Sequence, residues 1–224
     1  MTDRTPVRSP FYAAVIAASI TAAALLALPA SVRAEPPAAA PQAEPDAAPA
    51  KPHAGSLLPS TPEERERILS NLYAHLATAE TEERAKEVSQ TIERLWLYSG
   101  SDTINLLMDR AQKAVGEKNY DLALRFLDNI VVLAPDYAEG WNRRAYVYFL
   151  KNDVQRSLGD LRRVLALEPN HFKALEGLAQ ILREIGQKKA ALQVFKQLLT
   201  VNPYYSGARQ AVDELSRDVD GQGI

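Results

Sequence analysis

The sequence predicts an all-α chain: a solenoid of helix–turn–helix repeats, preceded by a helical hairpin and closed by a capping helix. Three observations carry this reading. Pro135, Pro169 and Pro203 recur at 34-residue intervals, and a proline ends a helix rather than joining two. From Thr61 onward the apolar residues follow helical spacing with almost no two-residue alternation. Aligned on the prolines, side-chain size repeats as well. Small residues fall at Ala123, Ser157 and Ala191, with large apolar ones four later at Leu127, Leu161 and Phe195. Ile130, Val164 and Leu198 align, as do Leu107, Trp141 and Leu175, and Ala111, Ala145 and Ala179. Small residues let paired helices approach, and large ones fill the space between neighbouring pairs.

The first 34 residues read as a leader. Arg4 and Arg8 precede an uncharged apolar run from Phe11 to Leu28, and Val32 and Ala34 supply the small-residue exit. This is the pattern of a secretory signal cleaved after Ala34. The run is 18 residues, long enough to nearly span a bilayer, so a retained anchor is the alternative. Residues 35–60 are rich in Pro and Ala and are expected to form a disordered linker. His53 lies within it, as a solvated side chain.

Residues 61–100 are expected to form the hairpin. Thr61, Pro62 and Glu64 make a capping box with proline at the first helical position, and Gly100 closes the second helix. The repeat columns fail here, since Glu93 and Ser101 stand where Phe and Pro are needed. The hairpin is therefore a degenerate repeat or an N-terminal cap. Three units follow over 104–137, 138–171 and 172–205. Their helices are expected at Ile104–Val115 and Asp121–Leu133, Ala138–Leu150 and Val154–Leu167, and Phe172–Ile185 and Lys188–Val201. Residues 206–218 should form the capping helix that a terminal unit needs over its apolar face, with a disordered tail over 219–224.

The chain has 224 residues, 24% of them charged, with net charge −2. That balance gives no reason to expect nucleic acid as partner. Cysteine is absent, which excludes disulfides, thiolate metal sites and thiol nucleophiles. His75 and His171 lack a second ligand at metal or general-base spacing, and His171 is expected at a surface or interhelix contact. No phosphate loop, GxSxG or HExxH motif occurs. The sequence therefore points away from an enzyme, and from any cofactor or metal.

The repeat resembles the tetratricopeptide repeat, whose 34-residue signature places Trp, Leu, Gly, Tyr, Ala, Phe and Pro in fixed columns. Trp141, Ala145 and Tyr148 fill the first part in the second unit, with Arg144 in place of the usual Leu. Ala191, Phe195 and Pro203 fill the second part in the third. The first unit has Leu107 and Ala114 where Trp and Tyr are usual, but keeps Ala111, Ala123 and Pro135. The resemblance implies a right-handed superhelix whose concave surface binds a peptide segment or helix of a partner. It assigns the groove to the second, fifth, ninth and twelfth residues of each first helix. These are Asn105, Met108, Gln112 and Val115; Glu139, Asn142, Tyr146 and Phe149; and Lys173, Glu176, Gln180 and Arg183. Chaperone-type members grip a C-terminal carboxylate with Lys and Asn, where this chain has Met108 and Gln112.

Together these features imply a non-enzymatic adaptor of the bacterial cell envelope. It is expected in the periplasm, or anchored in the inner membrane if the leader is retained, with a protein or peptide as partner. Two alternatives remain: an accessory assembly or maturation factor of an envelope complex, and a self-associating structural protein. In the latter, Leu95, Trp96 and Tyr98 would pair two copies, unless Trp96 buries against the first repeat.

Overall fold

A computed structural model describes Pro59 and residues 61–221. The expected leader, nearly all of the linker and the last three residues of the tail lie outside the described residues. All nine elements among the described residues are helices. They are α1 (Pro62–Ala77), α2 (Glu82–Leu97), α3 (Asp102–Gly116), α4 (Tyr120–Leu133), α5 (Ala138–Leu150), α6 (Val154–Leu167), α7 (Phe172–Glu184), α8 (Lys188–Val201) and α9 (Ala208–Gly221). The last continues past 218, taking in residues expected in the tail.

Local chemistry sets the helix ends. Oxygens of Thr61, Thr81, Ser101, Asn119 and Asp153 each accept a backbone N–H of the first turn they precede. Within each repeat the turn between helices passes through a left-handed residue: Lys118 (φ 58°), Asn152 (φ 59°) and Gly186 (φ 80°). These are a further 34-residue column, and only glycine occupies it without cost.

Pairs α3–α4, α5–α6 and α7–α8 stack in order, and α9 covers α8. The size columns form the joints. Ala123, Ser157 and Ala191 are almost fully buried, as are Ile130, Val164 and Leu198. Arg144, at the usual Leu position, ties three helices together: it grips Asp160 of α6 with two N–H donors at 2.8 Å, and Asp128 of α4 at 2.9 Å. Its guanidinium also lies over Trp141, 4.8 Å from the ring centroid.

The hairpin α1–α2 departs from expectation. It does not stack in front of α3; its principal partners are α8 and α5. It lies across the loops that exit the second helix of each repeat. Tyr204 donates through its hydroxyl to the Glu80 carbonyl at 2.7 Å, 124 positions away. Asn202 bonds Ser89 at 3.2 Å, Lys173 pairs with Glu93, and Tyr137 donates to the Leu97 carbonyl at 3.1 Å. Thus α2 crosses the start of α7 on its way from the third exit loop to the first. Trp96, expected against the first repeat or in a dimer patch, instead stacks flat on His171, with centroids 3.8 Å apart and 7° between planes. It also packs on Phe172, and its indole N–H donates to the buried Tyr73 hydroxyl. Trp96 and Leu95 are buried, so the proposed pairing surface is consumed within the fold. One consequence shows on α3: Leu106 is 51% exposed, although Ala174 at the aligned position of the third repeat is fully buried. Among the described residues, nothing covers the leading face of the first repeat.

Gly140 marks the tightest joint. A Cβ there would come within 2.7 Å of Ile130 Cγ2, a methyl fixed close to the backbone of a fully buried, χ1-restricted side chain. Gly159 on α6 meets nothing within 4 Å. Glycine-to-alanine changes in a helix interior ordinarily stabilise by up to about 1 kcal/mol. Urea unfolding should show that gain for Gly159→Ala and a loss of about 1–2 kcal/mol for Gly140→Ala.

Candidate functional site

The site is a trough of about 730 Å³ between α5 and α7, with the end of α2 as one bank. Its deepest part is built on Glu139, which is 3% exposed. One carboxylate oxygen accepts from Arg143 Nε; the other accepts from Asn142 Nδ2 at 2.9 Å and lies 3.1 Å from His171 Nε2. His171 Nδ1 accepts the backbone N–H of Ala174 and so caps α7. That bond assigns the ring proton to Nε2, which donates to Glu139. Of the two places expected for it, surface or interhelix contact, His171 takes the second: its ring is wedged between Trp96 and Glu139. Burial alone would raise the Glu139 pKa, but the hydrogen bond from His171 and the Arg143 guanidinium outweigh it and hold the carboxyl below its ordinary range.

Along α5 the trough opens outward through Asn142 to Tyr146, which is 53% exposed, and the half-buried Phe149. Along α7 it runs past Lys173, Glu176 and Gln180. Lys173 Nζ sits 3.4 Å from Glu93, Glu176 accepts from the Tyr205 hydroxyl, and Gln180 accepts from Arg183 at 2.6 Å. Burial and the bond to Glu176 both push the Tyr205 pKa up, so this hydroxyl stays a donor. A smaller hollow of about 230 Å³ continues from Glu176 and Gln180 toward α9, and Arg183 stands on its wall.

The structure therefore brings the expected residues of the second and third repeats together, and leaves those of the first apart. Met108 is buried in the core of the first repeat. A flexible thioether gains from turning inward, whereas Asn142 and Glu176 at the aligned positions do not. Val115 is half-buried against the same core. Asn105 Oδ1 accepts from Ser99 and so fixes the turn before α3. Gln112 is exposed outside the trough. Glu139 is a correction of another kind: it is a strut beneath the surface rather than a contact on it. The bank formed by Glu93, Trp96 and Leu97 was not expected at all. The signal for it was present in the aromatic two residues after each repeat proline, Tyr137, His171 and Tyr205, the first two of which touch α2.

A tetratricopeptide repeat model matches residues 172–205. A TPR repeat-containing protein of Rhizobium etli is 38% identical over 162 residues, spanning 72% of this chain and 78% of that protein. The uncharacterized protein ycf37 of Pyropia yezoensis is 29% identical over 100 residues, 45% of this chain and 53% of its own length. Among solved structures, a double mutant of MamA from RS-1 superimposes with a TM-score of 0.50 at 27% identity, over 55% of this chain and 68% of that one. The first TPR of Spaghetti (RPAP3), bound to an HSP90 peptide, does so at 0.51 and 18% identity, over 54% and 95%.

The lowered Glu139 pKa makes stability pH-dependent with a definite sign. The contribution is complete above the pKa of the unfolded glutamate, about 4.5, and is lost as pH falls through the lower folded value. Glu139→Gln should destabilise by about 2–3 kcal/mol at pH 7. Urea midpoints measured from pH 7 to pH 3 should show that deficit shrinking in acid.

Proposed function

The chain belongs to the tetratricopeptide repeat family, and from that premise we propose that it is a non-enzymatic adaptor holding a segment of a partner protein between α5 and α7. The observation that carries the reading is Tyr146: a large aromatic left 53% exposed in a trough otherwise held rigid by Glu139, Asn142 and Arg143. An aromatic anchor in a preorganised hollow is what interface energetics favour. The RPAP3 domain of like fold holds the HSP90 peptide SRMEEVD. An acidic tail of that kind suits this chain poorly, since Met108 is buried where a carboxylate grip would begin.

The leader composition supports a place in the bacterial envelope, with the periplasm as the compartment, or the inner membrane as anchor if the leader is retained. No helix among the described residues is long and apolar enough to cross a membrane. An accessory role in assembling an envelope complex uses the same trough. A photoreactive residue at position 146 in the native cell should capture one distinct protein, identified by mass spectrometry. The same residue at the exposed position 162 of α6 should not. Capture from both positions, or from neither, refutes the adaptor reading.

Self-association is the second reading, and the open leading face favours it. Leu106 at the start of α3, with Val132 and Leu133 at the end of α4, are 51%, 77% and 62% exposed. Light scattering decides this: a mass that rises with concentration, and no longer does in Leu106→Lys, supports pairing there, while a constant monomer mass disposes of it.

A further inference from the structure

The charges around the trough are not balanced once their internal partners are assigned. Of its cations, Arg143 is committed to the buried Glu139 and Lys173 faces Glu93. Among the described residues, the remaining acids have only neutral partners, or none. Glu176 accepts from Tyr205, and Glu214, on the wall of the adjoining hollow, accepts from Gln210. The side chain of Glu184, on the rim, makes no ion pair or hydrogen bond with any described residue. Among the described residues around the trough, Arg183, bonded to Gln180, is the single cation left to oppose them. Beside this acidic stretch lies an apolar ledge: Tyr146 and Phe149 on α5, with Leu97, 40% exposed, across the trough on α2.

We infer that the trough selects a partner segment carrying a basic side chain close to an apolar one. The apolar side chain seats on Tyr146 and Phe149 and is flanked by Leu97, while the Lys or Arg reaches Glu184 or Glu176. This deepens the adaptor reading and rests on it. Complementary charge discriminates among segments of equal apolar content, because an acidic segment meets unpaired like charge on the same wall. The bank supplied by α2 sharpens the choice, since it confines the segment to the strip that the α7 acids border.

The test uses the full chain and a phage-displayed library of random twelve-residue peptides, counter-selected against the Tyr146→Ala variant. Tyr146 and Glu184 are exposed, and Gln at position 176 keeps an oxygen to accept from Tyr205, so the variants should fold, as circular dichroism will report. Enriched peptides are expected to pair Lys or Arg with a neighbouring apolar residue. Binding of a synthetic copy should weaken roughly fivefold or more in Glu176→Gln/Glu184→Gln and fall as salt rises. If the Tyr146-dependent peptides are neutral or acidic, or if the double variant binds them unchanged, the charge inference is overturned and the groove reading stands. If no peptide depends on Tyr146, both are overturned.

Discussion

The flat stack of Trp96 on His171 is the contact on which the rest of the molecule depends. On one side it anchors α2, and through the indole N–H it fixes Tyr73 of α1 as well. On the other it presses on a ring whose two nitrogens are spoken for, one capping α7 and the other bonding Glu139 of α5. One aromatic pair thus joins the hairpin to the second and third repeats. A repeat array is held together by nearest-neighbour interfaces and flexes along its axis. A brace across three successive exit loops removes that freedom over the part of the array that forms the trough.

Glu139 shows how such a joint tolerates a buried charge. Taking a carboxylate out of water is costly unless it is paired and hydrogen-bonded. Here one oxygen has the Arg143 guanidinium and the other has two N–H donors, from Asn142 and His171. The arrangement leaves Asn142 and Arg143 with little rotamer freedom before any partner arrives, so the ordering cost of binding falls. The trough is preorganised from below, by Glu139 and His171, which are buried beneath it.

The repeat was readable because its signals are local and periodic. Proline spacing, size columns and the capping box at Thr61 each act within a few residues, and all three pairs fall where those signals placed them. The position of the hairpin was not readable on the same terms. Its partners lie up to 124 positions away, and its own columns are degenerate, so nothing local says where it docks. The first repeat failed as part of the groove for a related reason. Register placed Met108 with Asn142 and Glu176, but register says nothing about burial, and with no unit among the described residues in front of α3 an apolar side chain there turns into its own hairpin. The aromatic column at Tyr137, His171 and Tyr205 was visible, yet it needed a second surface before it meant anything.

That second surface changes what the groove is. In an open solenoid the first helices offer a partner a broad concave face, and an amphipathic helix lying across it is a common mode of recognition. Here α2 already lies across the starts of α5 and α7, with its apolar residues buried among those of the third repeat and α9. The chain thereby recognises part of itself, using an apolar strip of the face. What stays open is the outward strip, where Tyr146 and the half-buried Phe149 stand opposite a wall bearing Gln180 and Glu184. In the proposed adaptor, filling the apolar strip from within moves discrimination from hydrophobic area, which is permissive, to charge and hydrogen bonding, which are not.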